Sequence, residues 1–129
     1  MPWNDERPMS PHLQIYDLPI TAKLSILHRA TGAVLLLGML LIVIVLMALA
    51  MGEQSWITIH RLLNNWFGIL VLLGLTFSVY YHFCTGIRHL LWDTGKYMEK
   101  HKQVTSGLII IAASIILTAS TWWIAWVIA

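Results

Sequence analysis

The chain has 129 residues, of which 58% are hydrophobic and only 11% charged, with a net charge of +2 and a mean hydropathy of +0.73. Soluble globular domains carry about 25% charged residues, so the composition excludes a soluble enzyme domain and a disordered tail. It also excludes a nucleic-acid-binding module, because no basic run could track a phosphate backbone. The single cysteine, Cys84, cannot close an internal disulfide, and no CxxC or CxxCH is present for zinc or covalent haem attachment.

The first stretch of chain holds all four prolines (Pro2, Pro8, Pro11, Pro19) and the charges Asp5, Glu6, Arg7 and Asp17. It has no apolar h-region, so it is not a signal peptide, and the acidic residues before Arg7 are unlike an Arg- and Ser-rich transit leader. A bacterial inner membrane is therefore the expected location. Beyond this stretch, charges are absent from three gaps: 23 residues between Arg29 and Glu53, 26 between Arg61 and Arg88, and 27 after Lys102. Each gap exceeds the roughly 20 apolar residues that cross a bilayer as helix. The expected fold is all-α: an integral membrane three-helix bundle with spans near 30–52, 64–92 and 104–128. Residues 1–29 form a short cytoplasmic N-terminal segment that runs into the first helix, and residues 30–129 form the anchor domain.

Orientation follows from the basic residues. One face collects Arg7, Lys23, Arg29, Arg88, Lys96, Lys100 and Lys102, and the other only Arg61. The positive-inside rule then puts the N-terminus in the cytoplasm and the C-terminus in the periplasm. Trp56, Trp66, Trp122, Trp123 and Trp126 are expected in an outer aromatic belt, with Trp92 and Tyr97 at the inner interface.

At the start of the first span, Ser25 and Arg29 share a helix face at i, i+4, with His28 beside them. Hydroxyl and guanidinium donors at the membrane edge suit a ligand with carbonyl oxygens and an apolar body, such as a quinone. The same residues would equally serve a charged helix start gripping phospholipid headgroups.

In the second span, Ser78, His82, Thr85, Gly86, His89 and Asp93 fall on one helical stripe. Imidazoles at membrane depth are rare and face a partner in the bundle interior. For His82 that partner is a haem iron, an interhelical hydrogen bond or a proton relay. A six-coordinate haem needs a second axial ligand, and no His, Met or Cys on the other spans matches the depth of His82. Haem is therefore either absent or completed by another subunit. Gly86 would let a flat macrocycle or a helix approach the backbone. Arg88 and His89 could pair with propionates or with lipid phosphate. In the third span, Gly107, Ala112, Ala113, Ser114, Thr118 and Thr121 read as a helix-packing face rather than a transport path.

Two motifs together resemble a known family. Arg7-Pro8-Met9-Ser10-Pro11-His12-Leu13-Gln14-Ile15-Tyr16 followed by Ser25-x-x-His28-Arg29-x-Thr31-Gly32, and His82-x-x-x-Gly86-Ile87-Arg88-His89-Leu90-x-Trp92-Asp93-x-Gly95, are similar to the cytochrome b membrane-anchor subunit of succinate dehydrogenase. The resemblance covers essentially the whole chain. It implies that His82 is an axial ligand of haem b, shared with a small companion anchor subunit, and that Ser25 and Arg29 line a ubiquinone site. It further implies that His28, Arg29 and His89 hold haem propionates and that the Arg7–Tyr16 segment meets the iron–sulfur subunit. The expected partners are a flavoprotein subunit, that iron–sulfur subunit, the companion anchor and the lipid bilayer, with complexes assembling as trimers. On this expectation the subunit serves electron transport in the tricarboxylic acid cycle and is not catalytic alone. The other expectation is a structural anchor of a fumarate reductase-type complex without its own haem or quinone chemistry.

Overall fold

The computed structural model describes residues 18–95 and 99–128, and four helices account for nearly all of them: α1 (Ile20–Ala50), α2 (Glu53–Leu63), α3 (Trp66–Asp93) and α4 (Lys100–Ile128). Three of the four are long and apolar enough to cross a membrane. The all-α spanning architecture expected from the charge gaps is thus observed. The Arg7–Tyr16 segment, Lys96 and Tyr97 lie outside the described residues.

Helix α1 does not wait for the charge-free gap; it runs unbroken through Lys23 and Arg29. Pro19 sets its start, since a proline ring has φ preset for a helix and no amide hydrogen to leave unpaired. Its carbonyl accepts the Ala22 and Lys23 amides at 2.9 and 3.2 Å. With 31 residues, α1 is about 46 Å long, well beyond the roughly 30 Å hydrocarbon layer. It stops at Met51, whose N–H reaches the Met47 carbonyl, and Gly52 at φ 103° then turns the chain, a conformation that a side chain would strain.

The gap charges led to no expected helix between the first two spans, yet Glu53–Leu63 is helical. It is too short and too polar to cross a bilayer, and it is amphipathic. Glu53 in its first turn and His60 and Arg61 in its last complement the helix dipole. A tight turn follows, in which the Asn65 side chain accepts the Gly68 amide at 2.9 Å and caps α3. A Cβ on Gly68 would lie 2.4 Å from the Leu63 carbonyl oxygen and 2.5 Å from that of Leu62. Backbone cannot rotate out of the way as a side chain can. Gly68→Ala is expected to destabilise the protein by about 1–3 kcal/mol. The check is the thermal midpoint in detergent, and an unchanged midpoint would show that this turn relaxes freely.

Helix α3 packs against both α1 and α4. Leu24, Tyr81 and Ile110, one from each spanning helix, form the buried centre, with Ile20, Phe77, Cys84 and Ile111 around them. Otherwise the distribution is the reverse of a water-soluble protein. Thr31, Ser78, Thr85, Ser114 and Thr118 are buried, while Leu36, Leu37, Met39, Leu90, Ile109 and Ile116 are more than half exposed. Lipid tails solvate apolar groups as well as a core does, so the bundle interior is where polar groups and small contacts gain most. Ser78, Ser114 and Thr118 return their hydroxyl protons to carbonyls one turn earlier at 2.7–2.8 Å. They therefore pack without needing a partner helix. Bonds across helices come from larger groups: Tyr81 donates to the Leu24 carbonyl at 3.0 Å, and Tyr80 and Thr121 share a hydroxyl pair at 2.6 Å.

The α4 packing face is present with one exception, since Ala112 points outward while Gly107, Ser114 and Thr118 are buried. Trp66, Trp123 and Trp126 are exposed as belt residues should be, but Trp122 turns inward and donates to Thr76 at 3.4 Å.

Candidate functional site

The polar stripe expected on α3 divides into two. Ser78 and Thr85 are buried together with Tyr81 and Arg88, whereas His82, Gly86 and His89 are half-buried, His82 and His89 near His28 of α1, and Asp93 is exposed. A 3.6-residue repeat spreads such a set over a broad arc, and two neighbouring helices claim different parts of it.

At the Lys/Arg-rich end, α1 and α3 bring three histidines into one row. The His28 and His82 rings stack at 4.0 Å with 14° between planes, and His89 lies 5.2 Å from His28. Trp92 closes the row, edge-on to His89 at 5.2 Å. Gly32 makes the His82 position possible, because a Cβ there would come 3.1 Å from Cε1 of the ring.

The hydrogen bonds fix the tautomer of His82. Its Nδ1 lies 3.1 Å from the His28 carbonyl oxygen and 3.3 Å from Thr31 Oγ1. Thr31 spends its own proton on that same carbonyl at 2.8 Å, so both groups facing Nδ1 are acceptors. Nδ1 therefore carries the hydrogen, and Nε2 keeps its lone pair for a metal ion or a donor. Among the described residues no group of three or more His, Cys, Asp or Glu side chains could hold a bare metal ion. His82 can contribute one ligand to a metal that other atoms complete. His28 Nδ1 is buried and has no hydrogen-bond partner among the described residues. A Cβ on Gly86, one turn from His82, would meet nothing within 4 Å.

Beside this row lies a cleft of about 290 Å³ between α1, α3 and α4, lined by Ser25, Thr85, Arg88, His89, Trp92 and Gln103 with Thr21 and Ala22. Ser25 and Arg29, expected on one face, part company here: Ser25 lines the cleft, while Arg29 is exposed and lies outside it. The cation on the cleft is Arg88, which sequence reasoning left to headgroups or propionates. It is only 5% exposed. Its Nε donates to Ser106 Oγ at 3.1 Å and its Nη2 to the Gln103 carbonyl at 2.6 Å, and its guanidinium covers the Trp92 ring at 4.1 Å. The spacing of Ser78, Tyr81, Thr85 and Arg88 along α3 was the available signal for this burial.

Residues 4–121 match the succinate dehydrogenase/fumarate reductase transmembrane subunit family. The chain belongs to that family. This transmembrane subunit is 36% identical over 115 residues to the succinate dehydrogenase cytochrome b556 subunit of Paracoccus denitrificans, covering 89% of this chain and 88% of the relative. It is 36% identical over 124 residues to the cytochrome b560 subunit of Reclinomonas americana, covering 92% and 86%. It is 32% identical to the cytochrome b556 subunit of Rickettsia felis, covering 92% of each. As a transmembrane subunit it is one part of an enzyme complex. The matched residues include the whole histidine row and every residue named on the cleft.

Proposed function

We propose that this subunit holds a b-type haem through His82 and helps form the site where electrons from an iron–sulfur subunit reduce ubiquinone. The observation that carries the reading is the anchored Nδ1 of His82, which leaves Nε2 able to hold the haem iron. The residues fit the group: open space beside Gly86 admits a flat ring, and the unpaired His28 Nδ1 awaits a partner. His28, Arg29 and His89 would pair with the group's acidic propionates. His28 would not supply a second ligand to the iron, because its ring lies face to face with that of His82. That ligand comes from a small companion anchor subunit. Bound there, the haem supplies a one-electron redox centre.

Quinone reduction takes two electrons and two protons, so the site must bind carbonyl oxygens and stabilise added negative charge. Ser25 donates a hydrogen bond, and Arg29 supplies charge from the exposed surface of α1, where the iron–sulfur subunit would meet it. The flavoprotein oxidises succinate, and this subunit is not catalytic alone. The complex sits in a bacterial inner membrane with the N-terminus of this chain cytoplasmic.

The test is a reduced-minus-oxidised visible spectrum of the complex purified with its partners. b-type bands are expected, and their absence would leave the structural-anchor reading in place of this one. For the quinone site, Arg29→Ala is expected to lower quinone reductase turnover by at least about tenfold, the loss of a charged donor, while succinate oxidation by a soluble dye continues. Unchanged quinone turnover would remove Arg29 from the site.

A further inference from the structure

We propose that Arg88 is the cation of the Ser25 cleft and donates a charge-assisted hydrogen bond to a carbonyl oxygen of the quinone headgroup bound there; this rests on the quinone reading above. A guanidinium inside a transmembrane bundle is costly unless each of its donors is used. Two of the three nitrogens of Arg88 are committed, Nε to Ser106 and Nη2 to the Gln103 carbonyl. Nη1 makes no hydrogen bond among the described residues, and no carboxylate there pairs with the charge. Yet Arg88 lines the cleft together with Ser25.

A second donor of α3 lines the same cleft: the Trp92 indole Nε1 is buried and makes no hydrogen bond among the described residues. The guanidinium stacks on that indole, so ring and cation form one rigid surface. Charge, two unused donors and a flat aromatic wall suit a planar ring bearing carbonyl oxygens. Arg29, in contrast, does not reach this cleft.

The experiment measures the KM and kcat of a short-chain ubiquinone in the purified complex, normalised to the succinate–dye activity and haem spectrum of the same preparation. The variants are Arg88→Gln, Arg88→Lys, Ser106→Ala and Ser25→Ala. Arg88→Gln is expected to raise KM about tenfold or more, since a charge-assisted bond is lost. Arg88→Lys keeps the charge without the fork and should raise KM by about threefold or more; it decides the matter if the glutamine variant does not assemble. Ser106→Ala leaves the guanidinium in place and should change KM by less than about threefold. A KM within about twofold of wild type in the Arg88 variants, with Ser25→Ala raised, overturns the Arg88 assignment alone. If Ser25→Ala is silent as well, the quinone reading falls with it. An equal effect from Ser106→Ala would make Arg88 a clamp on α4 and overturn direct contact. Unmoved quinone kinetics with loss of co-purified phospholipid phosphorus would assign the cleft to a lipid headgroup and overturn the proposal.

Discussion

Replacing His82 with alanine is expected to abolish the low-spin, six-coordinate b-type spectrum of the complex, leaving either no haem or a high-spin haem held by the companion subunit alone. The geometry of this imidazole is set by α1: Nδ1 is held by the His28 carbonyl and Thr31, which leaves Nε2 to act as the ligand. Removing the ring leaves no buried group stranded, because Thr31 continues to satisfy that carbonyl at 2.8 Å. The loss of stability should therefore be that of a half-buried ring, about 1–2 kcal/mol, and the subunit should still assemble. Free imidazole added to the purified variant should restore part of the low-spin signal by occupying the vacated space. An unchanged low-spin spectrum in His82→Ala would remove His82 from the haem site.

A second large effect is expected at Gly32, which touches no cofactor on the present reading. Valine there would place its Cβ 3.1 Å from His82 Cε1 and add two methyl groups beyond it. The ring must move, and its two acceptors on α1 cannot follow, since one is backbone and the other sits on the same helix. Gly32→Val is thus expected to remove the low-spin spectrum as fully as His82→Ala does. Gly32→Ala should remove only part of it. Helix stability should respond in the opposite direction for alanine, since glycine costs about 1 kcal/mol relative to alanine inside a helix. Haem content and assembly can be read from one preparation by spectrum and gel filtration. Full haem content in Gly32→Val would show that the His82 ring has room to shift.

Much of the architecture was legible because charge is so expensive in hydrocarbon. The three gaps in Lys, Arg, Asp and Glu marked three spanning helices. His82 could be singled out for the same reason, as an imidazole inside such a gap. The start of α1 was less legible, because Lys23 and Arg29 suggested a boundary, while Pro19 decided it. The charges at Glu53 and Arg61 hid α2, since a search for spans passes over a short amphipathic helix.

The site was legible by residue type but not by arrangement. Ser25 and Arg29 share a face at i, i+4, yet a difference of 40° around a helix separates a cleft wall from an exposed surface. Arg88 shows the limit most clearly. An arginine within six residues of a spanning helix end ordinarily extends to the headgroups. Its burial depends on Ser106, Gln103 and Trp92 converging on it, and two of those three sit on another helix.

The sequence by itself determined which segments lie in the membrane and placed His82 inside one of them, because hydropathy and charge act residue by residue; that His28 of α1 shares its depth came only from the packing. Only the tertiary structure decided the tautomer of His82, the row of three imidazoles and the choice of Arg88 over Arg29 as the cation of the cleft. Those depend on which helix faces meet, and contact between helices is set by small residues such as Gly32 whose effect appears only when a neighbour fills the space they leave.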